Sequence, residues 1–413
     1  MSNASEKPQT QKHVIILGAG ASFTSGYPLA DRLRLLMSSE KDFKAELTRA
    51  LPEKPDLVAP IAFDLMFRPN RSAIELFRHG GFATIDEFSK LASHCYPKEI
   101  QELKKLLRFV LAIHNPEDDF TSSDYYVFIQ KLFRSDLFSL RDDVAILTFN
   151  YEPYLPYLLR KAYHTRCQAA GIKAEYHVED AITSGLACRL IGDLEAGTGL
   201  CALQLHGSIA WPQKFTDEAV LCYEDLFATS AEQRIDKLCT TTDATPPPVV
   251  FPWEVIQPDG QFLSESQFCL SEQIDKRGRR QGGYSGDYSL HQLFVSIWKR
   301  ARKEVTTATK ISFVGLSMHD FLNPAFKFLF AEKRDNAALV VCNKDHERFR
   351  SADDVEAHTN PRSPTYKVRR LLAQICASIK GVPKRGTAKV WLDGGAKVRV
   401  LETFRQFILN EMD

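Results

Sequence analysis

His13-Val-Ile-Ile-Leu-Gly-Ala-Gly-Ala-Ser-Phe-Thr-Ser-Gly-Tyr-Pro28 is the stretch whose reading decides the fold. Val14 to Leu17 is a short apolar run, the composition of a parallel strand buried on both faces. Gly18 and Gly20 follow at once, then Ser22, and a helical pattern begins near Leu29. Strand, glycine turn and helix in that order make the first unit of a dinucleotide-binding fold. In such a unit the glycines let the backbone approach a pyrophosphate, and free N–H groups at the helix start attract it. The turn is irregular, with Phe23 in place of a third glycine and Gly26-Tyr27-Pro28 interposed before the helix.

The bulk of the chain sets bounds around that turn. A length of 413 residues holds one large α/β domain with insertions, or two domains. A net charge of +1 gives no global argument for nucleic acid or an acidic membrane surface. The nine cysteines include no Cys-x-x-Cys pair, which reads as free thiols in a reducing, cytoplasmic setting. No apolar run is long enough to span a bilayer. Residues 1–12 are polar and lack the apolar core of a signal peptide, so a disordered lead is expected there.

Downstream of the turn, apolar residues recur at helical spacing from Leu29 to about Leu51, ended by Pro52, Pro55 and Pro60. Residues 50–122 then read as a helical insertion. Within it Thr84-Ile-Asp-Glu87 is a capping box, where helix capping competes with a ligand contact for Asp86, and 99–113 is an amphipathic helix. An insertion after the first βα unit would cover the carboxyl ends of the strands, where ligands bind. The Lys276 to Arg280 cluster reads as a solvated loop. Residues 350–413 form a C-terminal extension, with a hairpin of Ala388–Leu392 and Lys397–Leu401 around Asp393-Gly-Gly395 and a closing helix from Phe404.

The remaining strands each end in polar or small residues. Val144 to Phe149 runs into Asn150-Tyr151-Glu152, where capping of the next helix competes with a site role for Asn150. Leu200 to Leu205 runs into His206-Gly207-Ser208. An ordinary histidine pKa near ~6.5 suits proton transfer at neutral pH. Lys310 to Val314 ends in Gly315-Leu316-Ser317, and Ala338 to Cys342 ends in Asn343. Strand ends converge on one crevice in a doubly wound sheet, so these turns describe a single site. The expected fold is thus α/β, a Rossmann-like doubly wound parallel sheet over 13–49 and 123–349.

This ordered set resembles the sirtuin superfamily. Gly18-Ala19-Gly20-Ala21-Ser22 with Gly26-Tyr27-Pro28 looks like its phosphate loop, and Thr148-Phe-Asn-Tyr-Glu152 like its Asn-x-Asp element. Leu205-His-Gly207 looks like its catalytic histidine motif, and Gly315-Leu-Ser317 and Val341-Cys-Asn343 like its ribose- and adenosine-binding turns. The two cysteine pairs that hold zinc in sirtuin deacylases have no counterpart here, so no zinc is expected. Tyr151, Glu152, Ser208 and the Thr84–Phe88 segment are more similar to the bacterial sirtuin-like proteins of anti-phage defence, which hydrolyse NAD.

The resemblance implies that NAD is bound as substrate and cleaved at the nicotinamide–ribose bond. Asn150 and His206 would be catalytic. Gly18, Ala19, Gly20, Ala21, Ser22, Pro28, Glu152, Gly315, Ser317 and Asn343 would contact the dinucleotide. In that reading Asn150 hydrogen-bonds the ribose or the attacking water as both donor and acceptor. The resemblance also implies a homo-oligomer and a HerA-type ATPase or Argonaute partner. Two rival expectations are a sensor or scaffold that binds NAD or ADP-ribose without turnover, and an NAD-dependent protein deacylase.

Overall fold

The computed structural model describes residues 12–66, 71–82, 84–89, 97–114, 123–134, 140–173, 201–209, 249–251, 254–256, 260–263, 290–316, 322–333, 337–343 and 398–412, with a few isolated positions between them. Strand β1 (His13–Leu17) is central and fully buried. On one side it pairs in parallel with β2 (Val144–Thr148), His13 opposite Val144, and β2 pairs in turn with β3 (Cys201–Gln204). On the other side it pairs with β4 (Lys310–Val314), followed by β5 (Ala338–Cys342) and β6 (Val398–Leu401), all parallel. The order β3-β2-β1-β4-β5-β6 is that of a doubly wound, Rossmann-like sheet, with its reversal between β1 and β4.

The alternation of side chains along β1 explains why it needs cover on both faces. Ile15 and Leu17 join an apolar cluster with Leu36, Phe43, Leu107 and Tyr154. Val14 and Ile16 join the opposite cluster with Phe294, Ile297 and Trp298 of a helix over Leu290–Thr307.

The first cluster is built by the residues that follow the glycine turn. After the short α1 (Ala19–Ser22), the long helix expected from Leu29 to Leu51 is two helices, α2 (Ala30–Ser38) and α3 (Glu40–Ala50). Ser39 separates them in extended conformation, and its Oγ accepts the Asp42 N–H at 3.3 Å to start α3. The insertion is helical: α4 (Pro55–Met66), α5 (Arg71–His79), α6 (residues 85–89) and α7 (Pro97–Ile113). Thr84 caps α6, its Oγ1 accepting the Glu87 N–H at 3.1 Å. Phe109 of α7 packs on Phe43 at 5.9 Å between centroids, so the insertion shares the core of the sheet's first face.

Helix α8 (Asp124–Gln130) leads into β2, and α9 (Tyr154–Ala169) leaves it. Helices α10 (Leu290–Thr307) and α11 (Asn323–Phe330) cover the second face. Beside the end of β3, Val249 makes an isolated antiparallel bridge with Gly207. Near the C-terminus, the segment expected as the second hairpin arm is β6, the outermost of the described strands on that side of the main sheet. Helix α12 (Phe404–Glu411) then packs Phe404 on Tyr125 and Phe128 at 5.8 and 5.4 Å. The N-terminal lead, Ser317, residues 276–279 and the hairpin arm 388–392 lie outside the described residues. Among the described residues, no helix is long and apolar enough to cross a membrane.

Candidate active site at the strand ends

The two glycine turns meet at the reversal of strand order, and their contact is with each other. The Gly20 N–H donates to the Gly315 carbonyl at 2.9 Å, and the Gly18 N–H to the Val314 carbonyl at 2.9 Å. A Cβ on Gly18 would lie 2.7 Å from Leu316 Cδ1, and one on Gly20 would lie 2.8 Å from Gly315 Cα. Gly315 has φ 63°, and a Cβ there would lie 2.3 Å from the Ala21 nitrogen. These glycines are therefore needed first for the close approach of two protein turns. The Ala21 N–H also points inward, to Gly18 O at 2.9 Å, so of the amides of residues 19–21 only that of the half-buried Ala19 has no acceptor among the described residues.

Asn343 strengthens the same junction. Its Nδ2 donates to the Leu316 carbonyl at 2.9 Å, and its N–H to Leu401 O at 3.1 Å. Pro28 is buried behind the Gly26 turn, whose φ is 89°.

Asn150 is the hub that links the β1 and β2 ends. Helix α9 starts after Pro153 with no side-chain cap, so Asn150 does not cap it. Its Nδ2 instead faces three oxygens: Glu152 Oε1 at 2.9 Å, Gly18 O at 3.2 Å and Ser22 Oγ at 3.4 Å. Three acceptors around one atom identify it as the nitrogen and occupy both its hydrogens. The other end of the amide, Oδ1, is an acceptor. Burial lifts the Glu152 carboxyl from 4.5 to about 7, opposed by hydrogen bonds from its own backbone, Asn150 and Ser22. The end of β3 fixes this turn, with Gln204 Nε2 donating to Glu152 O at 3.3 Å and Ile209 N–H to Tyr151 O at 3.0 Å.

His206 lies one strand over from this hub, walled by aromatic rings. Tyr151 stacks on it at 5.4 Å and 27°, Phe149 meets it edge-on at 5.0 Å, and Trp298 lies at 6.4 Å. Trp298 Nε1–H donates to Leu205 O at 3.0 Å, so that wall is itself pinned. His206 is 3% exposed, and among the described residues neither ring nitrogen has a hydrogen-bond partner. Burial lowers its pKa from 6.5 to about 3, an effect that the nearby Phe149 main chain opposes without a well-formed hydrogen bond. The expectation of an ordinary histidine pKa is thereby overturned: the ring is neutral throughout the physiological range.

The strand ends thus bring together Gly18, Ser22, Asn150 and Glu152 by hydrogen bonds, with His206 beside them and Gly20, Gly315 and Asn343 bracing the adjoining turns. No protein-family model and no curated protein matches this chain.

Two further contacts escape a sequence reading. Tyr151 Oη donates to Asp86 Oδ1 at 3.0 Å, so Asp86 contacts the turn after β2 as well as lying in the capping box. Lys104 of α7 and Glu254 form a 2.8 Å ion pair with side chains 0% and 1% exposed. Glu254 Oε2 also accepts the Phe251 N–H at 2.7 Å, and the Val250 N–H donates to His206 O at 2.9 Å. The insertion therefore reaches the His206 turn through a buried charge pair. Lys104 left one trace, a charge on the apolar stripe of Ile100, Leu103, Leu107 and Leu111, whereas Glu254 lies in an irregular segment with no periodic signal.

Proposed function

We propose that the chain is an NAD hydrolase that cleaves the nicotinamide–ribose bond to give nicotinamide and ADP-ribose. The observation that carries this reading is the pairing of an oriented Asn150 Oδ1 with the neutral imidazole of His206, unpartnered among the described residues, at the carboxyl ends of adjacent parallel strands. A dinucleotide would lie across the β1–β4 reversal, with the Ala19 amide facing its pyrophosphate and Asn343 and Gly315 on the adenosine side.

In the reaction the bond between ribose C1′ and the nicotinamide nitrogen breaks, and its electron pair leaves with neutral nicotinamide. Positive charge develops on the ribose, and the ionised form of Glu152, whose carboxyl is lifted to about 7, favours it from behind Asn150. Asn150 Oδ1 accepts a hydrogen bond from the attacking water or a ribose hydroxyl, placing the nucleophile. Water bonds to C1′ and becomes an oxonium, which is strongly acidic. A neutral imidazole with a pKa of about 3 is basic enough to take that proton. The aromatic walls exclude bulk water and limit other nucleophiles. Such an activity fits an NAD-depleting effector of bacterial anti-phage defence, the branch that the sequence resembles.

Calorimetry and nicotinamide release on the same samples test the assignment. His206→Ala and Asn150→Ala are expected to keep NAD binding within about tenfold while losing release by roughly a hundredfold or more. Undiminished release by either variant removes that residue from the mechanism. Binding without turnover by the native chain would favour a sensor.

A further inference from the structure

The insertion is more than a cover, because it touches the reacting histidine through one intermediary. Asp86 of α6 accepts the Tyr151 hydroxyl at 3.0 Å, and the ring of Tyr151 is the plate on which the His206 imidazole stacks at 5.4 Å and 27°. Among the described residues no hydrogen bond fixes the His206 ring, so its orientation depends on the rings around it. Two of those are anchored within the sheet and its second layer: Phe149 follows β2, and Trp298 is pinned by its bond to Leu205 O. Of the three, only the stacking ring of Tyr151 is hydrogen-bonded to the insertion, through the partly exposed Asp86, and Phe251 packs edge-on against its buried ring at 5.9 Å.

We propose that Asp86 is a positioning residue of this site: through the Tyr151 hydroxyl it holds the ring that sets the plane of the His206 imidazole. The assignment rests on the reading of His206 as the proton-accepting group. It makes α6 a lever on the site, since any displacement of that helix moves Asp86 and frees the plate. A carboxylate suits this task because it is a strong acceptor for a phenolic O–H in apolar surroundings.

The test combines turnover with the nitrogen-15 signals of the His206 ring, assigned by their absence from a His206→Gln sample, in the full-length chain. Asp86→Ala and Tyr151→Phe should each lower kcat roughly ten- to a hundredfold, the range expected for a misplaced catalytic group, with KM nearly unchanged. Because the two side chains act as a unit, the double variant should lose no more than the worse single variant. Asp86→Asn, which keeps an acceptor for the hydroxyl, should recover much of the loss. The His206 ring signals should shift in Asp86→Ala and in Tyr151→Phe. Losses that multiply in the double variant, or His206 signals that stay unmoved in both, would overturn the proposal. If the native chain releases no nicotinamide, the hydrolase reading fails, and the ring signals still decide whether Asp86 governs His206.

Discussion

At the scale of single residues, burial sets which protonation state each group of the site holds. His206 is neutral because its surroundings do not solvate an imidazolium, and His13, hydrogen-bonded to Ser312 at 2.7 Å, is lowered to about 3 in the same way. Glu152 goes the other way, to about 7, because burial penalises its carboxylate. These shifts fix the sign of the pH dependence. A histidine at about 3 when folded and 6.5 when unfolded contributes stability that is fully present above pH 6.5 and is lost as pH falls toward 3. Comparison of the native chain with His206→Gln by denaturant unfolding should show this. The native advantage should shrink by about 1.4 kcal/mol for each pH unit below 6.5. A difference that does not change between pH 7 and 5 would contradict a neutral, buried His206. Glu152 has the opposite sign: its raised value contributes stability below pH 4.5 that is lost as pH rises through about 7.

Among the elements, α7 and α6 tie the insertion to the site by different means, a buried ion pair and a hydrogen bond. Lys104→Met should destabilise the chain by about 3–5 kcal/mol, because Glu254 would be left buried without its partner. Glu254→Gln in the Lys104→Met background should restore part of that loss. Unfolding curves measure both, and a Lys104→Met chain as stable as the native one would show that the pair does not clamp the two segments. What was legible in the sequence follows from periodicity. β1, β2 and β5 are largely apolar runs and β4 is apolar but for Lys310 and Ser312, the insertion carries helical spacing, and the polar turns at the strand ends stand out. Contacts between distant segments left weaker traces or none. The three acceptors around Asn150 come from residues 18, 22 and 152, and the Tyr151–Asp86 bond spans the insertion. The break at Ser39 was missed because a serine cap inside an apolar period does not interrupt the hydrophobic pattern.

For the molecule as a whole, the last described residues complete the first ones. β6 adds the outermost described strand beside β5, and α12 brings Phe407 to 6.2 Å from the His13 ring. Glu411 pairs with Lys310 at 2.6 Å, and Arg141 donates to Met412 O at 3.1 Å, so the chain end is bound to β4 and to the approach to β2. Removal of residues 398–413 would bare the β5 edge and the aromatic surface under α12, and the shortened chain should aggregate or melt well below the native one. A native melting temperature for that truncation would contradict the integral role of the C-terminus. The same sheet delivers Asn150 and His206 to neighbouring strand ends, and the claim that they hydrolyse NAD is open to one direct measurement. Proton NMR of NAD incubated with the full-length chain should show nicotinamide and ADP-ribose appearing in equal amounts, and no such change with His206→Ala. NAD that stays intact with the native chain, or is consumed equally by both proteins, would contradict the account.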